Sequence, residues 1–153
     1  MHFLKQEQFL PIPIEEAWEF FSTPRNLNKI TPEKMVFKII SDVPEKIHEG
    51  LIINYKIKPM LNIAVDWCTE ITQVSQPNFF IDEQRKGPYK IWHHEHHFKK
   101  VEGGTLMTDL LSYDIGMWIF GWVAGKIFVH SKVKQIFEFR RKVLEEFFIN
   151  QKS

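Results

Sequence analysis

Cysteine is almost absent from this chain: Cys68 stands alone among 153 residues, which excludes an intrachain disulfide and every multi-cysteine metal motif. That usage fits a reducing compartment, and the cytoplasm is the default expectation. An excess of charge of one sign is also missing. Twenty Lys and Arg face nineteen Asp and Glu, so the net charge of +1 creates no field to steer the protein toward nucleic acid, which is not an expected partner. Long apolar runs are lacking too. The opening MHFLKQEQFLPIP scatters charges where a signal peptide needs an unbroken apolar core, so it reads as mature sequence. The longest apolar run, 115–125, falls short of the roughly 18 residues of a spanning helix, and no transmembrane segment is expected. No nucleophile elbow, phosphate-cradling glycine loop or dinucleotide fingerprint occurs. Without a repeat, low-complexity tract or linker, residues 1–153 read as one domain.

What the chain has in quantity is large rings, fourteen Phe and five Trp, enough to fill a wide interior or to line one. Residues 2–10 read as a strand stopped by Pro11 and Pro13, after which Ile14, Ala17, Trp18 and Phe21 fall on one helical face. Pro24 ends that helix, and 25–30 reads as a second short helical turn before Pro32. From residue 36 the apolar period becomes two. It predicts strands near 36–42, 51–58, 63–75, 79–86, 90–101 and 105–115, divided by Gly and Pro. The Glu102-Gly103-Gly104-Thr105 turn pairs the last two as a hairpin. A final helix over 122–148, roughly 40 Å long, carries Val129, Val133, Ile136, Phe137, Leu144 and Phe148 in one arc.

The densest chemistry lies in 87–98, GPYKIWHHEHHF. On a strand, Trp92, His94, His96 and Phe98 share one face, while His93, Glu95 and His97 share the other, where charged residues are usually solvated. The next strand aligns Met107, Asp109, Leu111 and Tyr113, so Asp109 and Tyr113 are candidate neighbours of the two histidines. This set reads either as a buried hydrogen-bond network or as polar anchors in a pocket. Two histidines at i and i+2 with an aspartate offer two nitrogens and one oxygen to a metal. Spacing fixes no third strong ligand, so neither a metal nor another cofactor is expected. Arg140 sits within the apolar arc of the last helix and needs a partner, for which Asp109 is favoured. Asp82, Glu83, Gln84 and Arg85 read as a solvated face.

The order of elements, with the segments WEFFSTPRNL (18–27), FIDEQ (80–84) and GPYKIWHHEHHF (87–98), resembles the START-like SRPBCC superfamily with its birch-allergen-type helix-grip fold. Thr105, Asp109, Tyr113 and the segment IFEFR (136–140) extend the likeness over nearly the whole chain. It looks most like the bacterial ligand-binding members labelled cell-division-inhibitor-like or polyketide-cyclase-like. The resemblance implies an α+β fold, with a seven-stranded curved antiparallel sheet wrapped around a long C-terminal helix and two short helices between the first two strands. It also implies a cavity between sheet and helix, and it does not decide catalysis.

The function expected from these residues is binding or transport of a hydrophobic or amphipathic small molecule. Tyr55, Trp67, Trp92, Phe98, Leu111, Val133, Ile136 and Phe137 would supply apolar wall, and His94, His96, Asp109, Tyr113 and Arg140 polarity. Trp118, in the glycine-punctuated stretch 115–125, would mark the entrance. Two alternatives stand beside this reading. One is a cyclase, dehydratase or hydrolase in which His94 or His96 shuttles protons and Asp109 sets the tautomer. The other is a membrane-adaptor or interaction module that touches a bilayer peripherally through 115–125.

Overall fold

The computed structural model describes residues 1–60, 63–116 and 124–150. Strand β1 (His2–Leu10) leads through Pro11 and Pro13 into helix α1 (Ile14–Phe21), followed by two 3-10 helices at Pro24–Ile30 and Glu33–Met35. Six more strands follow: β2 (Lys38–Ile39), β3 (Ile52–Met60), β4 (Ile63–Ser75), β5 (Phe79–Lys86), β6 (Ile91–Val101) and β7 (Gly104–Asp114). Helix α2 (Ala124–Asn150) ends the described chain. All neighbours in the sheet are antiparallel, in the order β1-β7-β6-β5-β4-β3-β2. The fold is therefore α+β with the helix-grip arrangement expected from the sequence. Among the described residues no helix is long and apolar enough to cross a membrane.

Alternation explains which face of the sheet is dry. Along β7 every second residue is buried, so Thr105, Met107, Asp109, Leu111 and Tyr113 all point inward. Leu51, Ile53, Tyr55 and Ile57 do the same at the start of β3 and just before it. Register shifts at Cys68/Thr69 and Ile71/Gln73, where β4 meets β5, are the kind of irregularity that bends a strand and strengthens its twist. Onto the inner face α2 lays Val129, Val133, Phe137, Leu144 and Phe148, each at most 2% exposed. Their spacing keeps one stripe of the helix against the sheet, and each such burial stabilises by roughly 1.5–3 kcal/mol. Two glutamines of β1 also hold the helix. Gln6 Nε2 donates to the Phe137 carbonyl at 3.3 Å, and Gln8 Nε2 to that of Arg141 at 2.9 Å.

One expected strand is far shorter than its pattern. The alternation over 36–42 yields only Lys38–Ile39, because Glu33–Met35 closes as a 3-10 turn and Val36 is left-handed at φ 47°. Pairing with β3 begins only after that corner, at Lys38↔Lys56.

Candidate functional site

Between the curved sheet, the two 3-10 helices and the middle of α2 lies a cavity with about 170 Å³ of room for the centres of water-sized molecules. A single water needs on the order of 10–15 Å³ by that measure, so this is space for a larger guest. One wall is sheet, including Ile53, Tyr55, Trp67, Ile71 and Phe80. The opposite wall is Phe20, Phe21, Leu27, Ile30, Met35 and Phe37 from α1 and the segment after it, and α2 adds Ile136 and Arg140.

Cross-strand register assembles the polar part of the wall. His94 of β6 lies opposite Asp82 of β5 on one side and Leu111 of β7 on the other, and one step along, His96 lies between Phe80 and Asp109. Two histidines and two aspartates thus occupy one inward patch on three adjacent strands. His94 Nε2 meets Asp109 Oδ1 at 3.0 Å, and His96 Nε2 meets Asp82 Oδ2 at 2.9 Å. His96 Nδ1 also lies 2.9 Å from Asp109 Oδ1, close enough for an ion contact but poorly directed for a hydrogen bond. The rings of His94 and His96 are 3.8 Å apart, and Phe80 stacks on His96 at 4.3 Å.

Burial sets the charges. It lowers the His94 pKa, with His96 beside it adding to the effect against the pull of Asp109 and Asp82. For His96 the same burial is outweighed by the two carboxylates it touches, Asp109 and Asp82, which raise its pKa. Burial opposes ionisation of both aspartates, but their contacts with the histidines win and hold both well below the usual carboxylate range.

Other polar groups in the wall satisfy one another. Trp67 Nε1 donates to Thr69 Oγ1 at 3.0 Å, and the Tyr55 hydroxyl shares the same oxygen at 3.0 Å, while burial pushes the Tyr55 phenol up. Arg140 is the exception. Its Nε is buried with no hydrogen-bond partner among the described residues, and its guanidinium sits 5.3 Å from the Phe137 ring centre.

Of the residues expected to line a pocket, the structure places Tyr55, Trp67, Trp92, His94, His96, Ile136 and Arg140 on the cavity wall. Phe98, Leu111, Val133 and Phe137 are instead core, packed between sheet and helices and off that wall. Asp109 stands behind the histidines. Tyr113 is fully buried away from the cavity, its hydroxyl 2.6 Å from His130 Nδ1 and its pKa pushed up to about 12 by burial. Trp118 lies outside the described residues, as does most of 115–125. The favoured Arg140–Asp109 pair does not form, because both imidazoles occupy Asp109.

Two parts of the site were not anticipated. Asp82 turns inward, its side chain 16% exposed, rather than belonging to a solvated face. Phe80 two residues before it was the available signal, since i and i+2 share a face. Glu83 and Arg85 do point outward, where Arg85 bridges Glu70 and Glu83 at 2.6 and 2.7 Å. The second omission is the wall from 20–47, whose apolar residues follow no single period across its turns.

No protein-family model matches the sequence, and neither does any curated protein. Solved structures do. A START superfamily protein from Mycobacterium smegmatis matches 99% of this chain and 99% of its own, with TM-score 0.74 and 10% identity. TTHA0849 from Thermus thermophilus matches 99% and 100%, with TM-score 0.70 and 18% identity. Ara h 8.0201 matches 97% and 98%, with TM-score 0.63 and 14% identity. At such identities the likeness is one of fold. The chain has the START-like helix-grip fold, the architecture that the sequence resemblance implies.

Proposed function

We propose that the chain binds or carries a hydrophobic or amphipathic small molecule in the cavity, with its apolar body among the aromatic walls and an acceptor-bearing end at Arg140. The observation behind this reading is the lining itself: largely apolar, with most polar groups already paired and one guanidinium nitrogen left over. An apolar pocket with a few convergent polar groups is the usual form of a small-molecule site. The START superfamily neighbour of the same fold adds support by analogy.

Native mass spectrometry of the purified full chain should show a co-purifying molecule, or uptake of an added medium-chain fatty acid or its alcohol. Trp67 and Trp92 provide an intrinsic fluorescence readout of uptake, since both line the cavity. Ile53→Trp, which fills the space from the sheet side, should weaken that uptake about tenfold or more. Absence of any co-purified molecule, together with no binding of either probe, would overturn the reading.

The paired histidines facing the same cavity favour one second reading, proton-transfer catalysis on the bound molecule. It requires pH-dependent turnover that His94→Ala and His96→Ala abolish, whereas a carrier would lose only affinity.

A further inference from the structure

The histidine–aspartate patch aims two imidazole nitrogens from β6 at one carboxylate oxygen of β5. His94 directs Nε2 to Asp109 Oδ1 at 3.0 Å, which places the N–H of the neutral ring there and leaves the Nδ1 lone pair on the side of Asp82. His96 keeps Nδ1 2.9 Å from the same Asp109 oxygen and Nε2 2.9 Å from Asp82 Oδ2. His94 Nδ1 and His96 Nε2 thus approach the same oxygen, Asp82 Oδ2, at 3.7 and 2.9 Å. One donor atom from each of the three residues lies within 4.8 Å of the others. His94 Nδ1, 3.7 Å from that oxygen, is beyond hydrogen-bond reach.

We propose that these three atoms form a binding site for one divalent first-row transition ion of the Zn²⁺ or Fe²⁺ type on the cavity wall, with Asp109 as the positioning residue behind both imidazoles. Two imidazole nitrogens and one carboxylate oxygen suit these ions, whereas Mg²⁺ and Ca²⁺ take oxygen donors. Bonds of about 2.0–2.1 Å place neighbouring donor atoms roughly 2.9 Å apart at right angles and roughly 3.4 Å apart in a tetrahedron. The two contacts to Asp82, 2.9 and 3.7 Å, bracket that range. Asp109 matches the carboxylate that commonly holds the far nitrogen of a metal-ligating histidine and fixes its tautomer. All three donor residues line the cavity, so the remaining coordination positions face a guest molecule. Sequence spacing hides this site, because the third donor comes from β5 through the Asp82↔His94 register.

The experiment uses the full chain, stripped with chelator and titrated with Co²⁺, followed by visible d–d absorption, and with Zn²⁺ in competition against a chromogenic chelator. One ion per chain is expected. His94→Ala and Asp82→Asn should weaken binding by about 100-fold or more, and Asp109→Asn by about 10- to 100-fold. His93→Ala/His97→Ala, on the outer face, should change it by less than about twofold, since an outer site would have to use those rings. Failure of Co²⁺ to bind, binding unchanged in Asp82→Asn, or loss of binding in the outer-face variant would each overturn the proposal. Should His94→Ala fail to fold by circular dichroism, Asp82→Asn and His96→Gln decide the question. The proposal does not rest on the carrier reading, whose probes are titrated into metal-free protein, so the two can fail separately.

Discussion

Asp109→Asn removes one charge and almost no volume from the middle of the sheet. In the folded protein Asp109 Oδ1 meets His94 Nε2 at 3.0 Å and His96 Nδ1 at 2.9 Å, with the side chain only 4% exposed. An asparagine oxygen can still accept from one imidazole, but the positive charge that His96 favours loses one of its two carboxylate partners, each 2.9 Å away. Removing one partner of a buried ion pair costs roughly 3–5 kcal/mol. For a chain of this length each kcal/mol moves Tm by about 2–4 °C, so the variant should melt about 6–20 °C lower. The acid limb gives an independent check. Asp109 has its pKa depressed on folding, so its contribution is present above the unfolded value of about 3.9 and is lost as pH falls. His96 has its pKa raised, so its contribution is present below about 6.5 and is lost as pH rises through the folded value. The gap between wild type and variant should therefore be widest between about pH 4 and 6.5 and should narrow below that window. Thermal and urea unfolding in chelator-containing buffer, read by circular dichroism across this range, measures it. A variant within about 1 kcal/mol of wild type at every pH would refute the ionic account of the patch.

Arg140→Met replaces a guanidinium that makes no ion pair among the described residues by an apolar chain of similar reach. Stability should change by less than about 1 kcal/mol, while affinity for a fatty acid falls about tenfold and affinity for the matching alcohol barely moves; paired fluorescence titrations make that comparison. Thr105→Val removes the bond from Thr105 Oγ1 to the Ile12 carbonyl, 2.9 Å long and fully buried, so urea midpoints should report a loss of about 1–3 kcal/mol with cavity binding unchanged.

The two-residue period placed His94 and His96 on one inward face, because strand geometry fixes the parity of neighbours within a strand. Parity cannot say which residue of another strand lies opposite. Asp109 as the neighbour of His96, and Asp82 as that of His94, depend on register set by the hairpin at Glu102–Thr105 and by the turn at 87–90 between β5 and β6. Arg140 shows the same limit. Its place in an apolar helical arc was visible, but its expected partner was already occupied by two imidazoles from the next strand. Phe98, Leu111, Val133 and Phe137 carry the same apolar signature as true wall residues. Only packing decides which apolar surface meets protein and which meets open space. The wall from 20–47 follows no single period along its length, since a short helix, two tight 3-10 turns and a left-handed corner at Val36 break any repeat.

The two margins of the sheet are unequally fastened. At one, β1 pairs with β7 from Thr105 to Tyr113 and its glutamines grip the backbone of α2, so the first and last described elements form a single seam. At the other, β2 contributes only two paired residues before the backbone turns away. Local opening follows the weakest ladder, so among the described elements breathing begins at β2 and spreads to the neighbouring 3-10 helices. That same margin supplies part of the cavity wall through Leu27, Ile30, Met35 and Ile39, so the wall would loosen there first.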